Sequence, residues 1–185
     1  MSGGMRPAVV ERLGERIRAA RQELDLSVGA LAEASEVSRR MLTQIELGQA
    51  NPSVAILDRI AAGLGTTFAA LMGVGADDAP DGVEIWSTDS GSWAVLLGAV
   101  DTDALSVETW KWKLVGEDCY EGGSGIALPG IMHHVIEGAL EIDDADGLQV
   151  IEAGGSARIA SPGPYRYRAR DAQAAVFFSV ALLPR

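Results

Sequence analysis

The chain has 185 residues, 48% of them hydrophobic, with a net charge of −11 and one cysteine, Cys119. A lone cysteine rules out an internal disulfide and fits a reducing cytoplasm. Charges or glycines break every apolar run within about 8 residues, short of the ~20 a membrane span needs. The opening Met-Ser-Gly-Gly-Met-Arg-Pro has no apolar stretch of the kind that marks a secretory signal. The charge is unevenly spread. Residues 1–75 carry eight arginines and eight acids, so the whole imbalance lies in residues 76–185. A neutral first part can still meet DNA if its arginines share one face, whereas the acidic remainder is expected to lie away from phosphates.

The first part reads as helices. Val10, Leu13, Ile17, Ala20 and Leu24 recur at spacings of three and four, predicting one buried helical face over residues 10–24. Ser27 can cap a second helix carrying Ala30, Leu31 and Ala34. Ser38 can cap a third, with Met41, Leu42 and Ile45 inward and Arg39, Arg40, Thr43 and Gln44 outward, ended by Gly48. Asn51-Pro52-Ser53 opens a fourth with Val54, Leu57, Ile60, Ala61 and Leu64, closed by Gly65. Thr66 or Thr67 starts a short fifth with Phe68, Leu71 and Met72.

Residues 73–82 are rich in Gly, Asp and Pro and read as a linker. Beyond it the helical period vanishes. Short alternating stretches follow: Glu84–Ser87, Trp93–Val100, Leu105–Leu114, Met132–Ile136, Ala139–Ile142, Leu148–Ile151, Tyr165–Ala169 and Ala175–Ala181. Many short strands separated by turn signals predict an all-β sandwich or barrel.

Helices two and three, joined by Ala34-Ser35-Glu36-Val37-Ser38, describe a helix-turn-helix. The major groove admits one such helix, whose N-terminal residues reach base edges. Arg39 and Arg40 lie there, with Gln44 one turn on. Arginine bonds guanine at two points and glutamine bonds adenine, each pair giving ~1–3 kcal/mol of discrimination. Residues 13–72 resemble the Xre/lambda-repressor type of regulator. The matching positions are Ile17-Arg18, Arg21, Leu26-Ser27, Leu31-Ala32, Val37-Ser38, Ile45-Glu46, Gly48, Pro52-Ser53, Leu57, Ile60-Ala61 and Leu64-Gly65. The resemblance implies a five-helix domain over 10–72, base readout by Arg39, Arg40 and Gln44, and Ser38 and Thr43 on the backbone or adjoining bases. It also implies a scaffold pair between Arg21 and Glu46. Two positions depart from the pattern. Val28 stands where a phosphate-binding glutamine is common, and Glu36 replaces the turn glycine, which threatens strain.

Residues 105–183 resemble a cupin, a double-stranded β-helix barrel, through Pro129-Gly130, Val135–Ile142, Ala153–Ala157 and Gly163–Tyr167. The expected architecture is therefore α+β with two domains: a helical bundle, then an all-β barrel over 83–185. Metal-binding cupins hold a cation with histidines and a glutamate. Here Tyr165 occupies the second-motif histidine position, and Ser124–Leu128 supplies no ligand where a histidine pair is expected. His133 and His134 are the only histidines, and neighbours on a strand face opposite ways. No metal or other cofactor is therefore expected. Trp110, Trp112, His133, Tyr165 and Tyr167 either line a small-molecule pocket or simply fill the barrel.

These readings converge on a cytoplasmic, non-enzymatic transcription regulator. It would bind a double-stranded DNA operator as a homodimer, under control of a small-molecule effector. The competing reading is a metal-dependent cupin oxygenase or epoxidase that uses its helix-turn-helix as a scaffold.

Overall fold

The computed structural model describes residues 5, 7–74, 81–102, 104–123, 130–159 and 163–184. Residues 75–80 of the expected linker, and the Ser124–Leu128 segment, lie outside the described residues. Among the described residues five helices come first: α1 (Pro7–Glu23), α2 (Val28–Ala34), α3 (Arg39–Glu46), α4 (Val54–Gly63) and α5 (Phe68–Met72). Pro7 suits a first helical position, where its missing N–H costs nothing. Four hydroxyls cap the others. Ser27, Ser38, Ser53 and Thr67 each accept from the backbone N–H three residues on, at 3.0–3.4 Å. Each cap satisfies one orphan donor and contributes on the order of 1 kcal/mol.

Leu13, Ile17, Leu31, Leu42, Ile45, Leu57 and Ile60 interlock in the helical core at 2% exposure or less. Gly14 brings α1 against the end of α3. A Cβ there would lie 2.3 Å from the Ile45 carbonyl oxygen. One expected core residue is corrected: Leu24 is 50% exposed. The helix stops at Glu23, and Asp25 turns the chain with φ of +53°, so Leu24 falls outside the face that Leu13 and Ile17 define.

Ten strands follow among the described residues: β1 (Val83–Ser87), β2 (Trp93–Asp101), β3 (Leu105–Val115), β4 (Cys119–Gly122), β5 (Gly130–Glu137), β6 (Ala139–Asp144), β7 (Gly147–Glu152), β8 (Ser156–Ile159), β9 (Tyr165–Ala169) and β10 (Ala174–Pro184). Their pairs are antiparallel. They build a six-stranded sheet, β1-β2-β3-β10-β5-β8, facing a four-stranded one, β4-β9-β6-β7. The eight expected strands are present, longer by a residue or more at most ends. The four-residue strands β4 and β8 were not expected, since neither offers a full alternation to read.

Side chains alternate across each strand. On β3, Ser106, Glu108, Trp110, Trp112 and Leu114 point inward. Trp112 meets Phe177 and Ser179 of β10 and Tyr167 of β9, and His133 of β5 packs against Tyr167 and Phe177. Two contacts tie the helices to this barrel. The Thr67 hydroxyl donates to Asp101 at 3.2 Å, and Phe68 stacks on Trp110 at 6.2 Å between ring centroids.

Candidate nucleic-acid interface and barrel cleft

The third helix is held from behind and open in front. Leu42 and Ile45 are buried, while Arg39 and Arg40 are exposed. Among the described residues, no carboxylate forms an ion pair with either arginine. Ser38 caps the helix through its oxygen, leaving its proton free to donate. Thr43 has turned its proton onto the Arg39 carbonyl at 2.8 Å, so only its oxygen lone pairs face outward. Gln44 is half-buried on the same side of the helix. Val28, at the departing position, packs partly against the core.

The helix cannot swing freely, because α1 grips its last residue. Arg21 donates from Nε to Glu46 at 2.6 Å and from Nη2 at 2.9 Å, while its third nitrogen reaches the Leu26 carbonyl at 2.8 Å. Both side chains are at most 10% exposed. The turn before the helix carries the strain foreseen: Glu36 adopts φ of +52°, and Arg59 reaches its carbonyl at 3.3 Å.

A second concave region lies where helices meet barrel. A cleft of about 650 Å³ runs between Asn51–Val54, at the start of α4, and Trp86, Trp110, Trp112 and Tyr120 of the barrel. Behind it a narrower pocket of about 110 Å³ penetrates the barrel to Glu108, Tyr165, Tyr167 and Ser179. Trp110, Trp112, Tyr165 and Tyr167 thus share one pocket. His133 sits behind them, its Nε2 2.7 Å from the Tyr167 hydroxyl. His134 faces outward toward Ser156.

The polar groups of this interior are few and mostly matched. Trp112 donates to Ser179 at 2.9 Å, and Trp110 donates to Glu108 Oε2 at 3.0 Å. Glu108 Oε1 has no partner among the described residues. Burial pushes the Glu108 carboxyl up to about 7; the Trp110 bond works the other way, and Asp58 and Asp101 add to the rise. Burial also drives His133 down to about 4, so it is neutral at ordinary pH. Tyr120 is raised to about 12, and Tyr165 and Tyr167 are raised too, again chiefly by burial. Among the described residues no three His, Cys, Asp or Glu side chains gather as a metal site.

Sequence reasoning missed Glu108, Trp86, Tyr120 and the α4 wall of this cleft. Glu108 was legible, since it shares its parity on β3 with Trp110 and Trp112. Tyr120 was hidden because β4 was not recognised. The contribution of α4 is a tertiary contact with no local sign in the sequence.

Comparison with known proteins bears on both halves. Residues 17–71 match the family described as helix-turn-helix, HTH_3. The chain is 26% identical over 178 residues to the HTH-type transcriptional regulator SutR of Escherichia coli (strain K12), covering 94% of this chain and 96% of that protein. It is 39% identical over 61 residues to the immunity repressor protein of Bacillus phage phi105, covering 33% of this chain and 42% of the repressor. Among solved structures, an HTH_3 family transcriptional regulator from Vibrio cholerae superposes with a TM-score of 0.66 at 23% identity. That match covers 97% of this chain and 99% of the other, so the architecture is shared end to end.

Proposed function

We infer that this chain, whose residues 17–71 form a helix-turn-helix domain of the HTH_3 kind, is a DNA-binding transcription regulator. The observation that carries this reading is the state of α3. Ser38, Arg39, Arg40 and Gln44 lie at or near the N-terminal half of a helix that the Arg21–Glu46 pair fixes in place, with both arginines free of carboxylates among the described residues. That arrangement leaves two guanidinium forks ready for base edges.

The barrel is its sensor, not an enzyme. The chain's two histidines are adjacent, one facing each way, and the inward one bonds Tyr167. The aromatic cleft suits a small molecule instead. One of its walls is the first turn of α4, so an occupant touches the DNA-binding unit directly. A ligand that fits one placement of the helices better than another shifts that placement. No helix among the described residues is long and apolar enough to cross a membrane.

We also assign the working form as a homodimer. Met132 and Ile136 are exposed on the outer face of β5, and Met132 pairs in register with Val180 of β10. Next to them, Leu182 pairs with Val107 of β3. This apolar stripe on the outer face of the six-stranded sheet suits a second copy. Through Val107, the outward side of β3 joins this stripe.

Selection of binding sites from random duplex DNA tests the main assignment. The protein is expected to enrich one motif, and the Arg39→Ala, Arg40→Ala double variant is expected to enrich none while keeping its melting temperature. Enrichment of the same motif by the double variant would remove α3 from the reading role.

A further inference from the structure

We propose that the cleft between α4 and the barrel is a site for a small organic ammonium ion, whose charged nitrogen pairs with Glu108 and whose apolar body lies among the surrounding aromatic rings.

Three observations lead there, and the inference rests on reading the cleft as an effector site. The first is the unmatched carboxylate oxygen. Glu108 is 2% exposed and lines the inner pocket; one oxygen takes the Trp110 N–H, and the other has no partner among the described residues. A buried carboxylate lacking half its hydrogen bonds costs stability, and proteins retain such groups where something else completes them. Once the carboxyl is ionised, the missing partner must donate hydrogen bonds. An ammonium group brings three donors together with the compensating charge.

The second is the surrounding charge. The groups that face Glu108 electrostatically are Asp58 of α4 and Asp101 of β2, both acids. The local field therefore favours a cation and opposes a carboxylate or phosphate ligand. The first turn of α4 brings the helix's partial positive charge to the cleft wall, but Ser53 already accepts from a backbone N–H at that end.

The third is the wall. Trp86, Trp110, Trp112 and Tyr120 line the cleft, and Tyr165 and Tyr167 line the pocket behind it. Their rings are mutually braced: Trp112 and Tyr120 meet edge-on at 4.7 Å, and Tyr165 stacks on Tyr167 at 4.9 Å. Aromatic faces attract cations and accept apolar bodies equally well, a combination that selects amines over neutral hydrocarbons. An inner volume of about 110 Å³ opening onto one of about 650 Å³ takes an aminomethyl head in the narrow part and a ring or chain in the wide part.

The full-length protein supplies its own reporter, since three of its four tryptophans line the cleft. Benzylammonium chloride titrated at roughly pH 8, where the carboxyl is ionised, is expected to change tryptophan emission saturably. Benzyl alcohol and benzoate, of the same shape, are expected to produce no saturation over the same range. Glu108→Gln is expected to weaken the benzylammonium response about tenfold or more. A circular-dichroism melt of that variant confirms that its fold is kept. Equal binding of benzyl alcohol or benzoate overturns the proposal. So does unchanged benzylammonium affinity in Glu108→Gln, or the absence of any saturable response to the amine. Because no DNA is present, these outcomes leave the operator-binding assignment standing or falling by its own assay.

Discussion

Arg21 and Glu46 meet at two points, Nε to Oε1 at 2.6 Å and Nη2 to Oε2 at 2.9 Å, and so tie the first helix to the last residue of α3. The pair lies against the domain core with at most 10% of either side chain exposed. Two parallel charge-assisted bonds give it direction as well as attraction.

Glu46→Ala is therefore expected to destabilise the protein by about 3 kcal/mol, because it strands a largely buried guanidinium. Among the described residues, only the Leu26 carbonyl would still hold Arg21. Denaturant unfolding checks this. A midpoint equal to that of the parent protein would show that the pair contributes nothing net.

Glu36→Gly is expected to act in the opposite direction. The residue sits at φ of +52° in the turn between α2 and α3, where a side chain crowds the backbone. An L-residue pays ~1–2 kcal/mol in that region, and glycine returns part of this through its looser unfolded chain. The expected net gain is about 0.5–1 kcal/mol. Since Arg59 bonds the Glu36 carbonyl and not its side chain, that contact survives the change. A lower melting temperature would mean that the glutamate side chain stabilises the turn in some other way.

Much of this was legible in the sequence, and the parts that were not have separate physical reasons. The caps at Ser27, Ser38 and Ser53 stood out because a hydroxyl precedes a periodic apolar run at each. The Arg21–Glu46 pair followed from resemblance, since nothing local joins residues 25 apart. Leu24 was misplaced because the apolar period continues one residue past the physical end of α1. In the barrel, Trp110, Trp112, Tyr165 and Tyr167 could be picked out as aromatic residues at alternating positions. Glu108 was passed over because the apolar residues on its strand drew the eye away from a carboxylate of the same parity. The covering of the cleft by α4 depends on Thr67–Asp101 and Phe68–Trp110 contacts that no window of sequence contains.

Two buried groups predict how stability follows pH. The Glu108 carboxyl is raised from 4.5 to about 7, so the folded protein holds a proton that the unfolded chain releases. Its contribution is full below about pH 4.5 and is lost as pH rises toward 7. His133 is lowered from 6.5 to about 4, so its contribution is present above about pH 6.5 and lost as pH falls toward 4. The two slopes oppose each other across most of the same window, and substitution separates them. Glu108→Gln carries no charge at any pH. It is expected to match the parent near pH 4.5 and to exceed it by up to about 3 kcal/mol near pH 8. Denaturant midpoints at the two pH values check this. A difference independent of pH would mean that Glu108 does not titrate in the folded protein.

On the proposed reading, dimerisation is expected from energetics. One α3 helix would offer Arg39, Arg40 and Gln44, three side chains at most for base edges. At ~1–3 kcal/mol each, they fall short of or barely reach the ~4–10 kcal/mol that separates specific from non-specific binding. Residues 1–75 carry equal numbers of arginines and acids, so phosphate attraction does little to make up the difference. Two copies would double the contacts, and two-fold symmetry would place the two α3 helices about 34 Å apart, one turn of duplex. The acidic barrel is poorly suited to touch DNA, yet its outer face exposes Met132 and Ile136, at 51% and 45%. Sedimentation at micromolar concentration is expected to give a dimer, and Met132→Glu with Ile136→Lys is expected to give a monomer with weakened operator binding. A parent protein that sediments as a monomer both free and on DNA, while occupying a single half-site tightly, would defeat the argument.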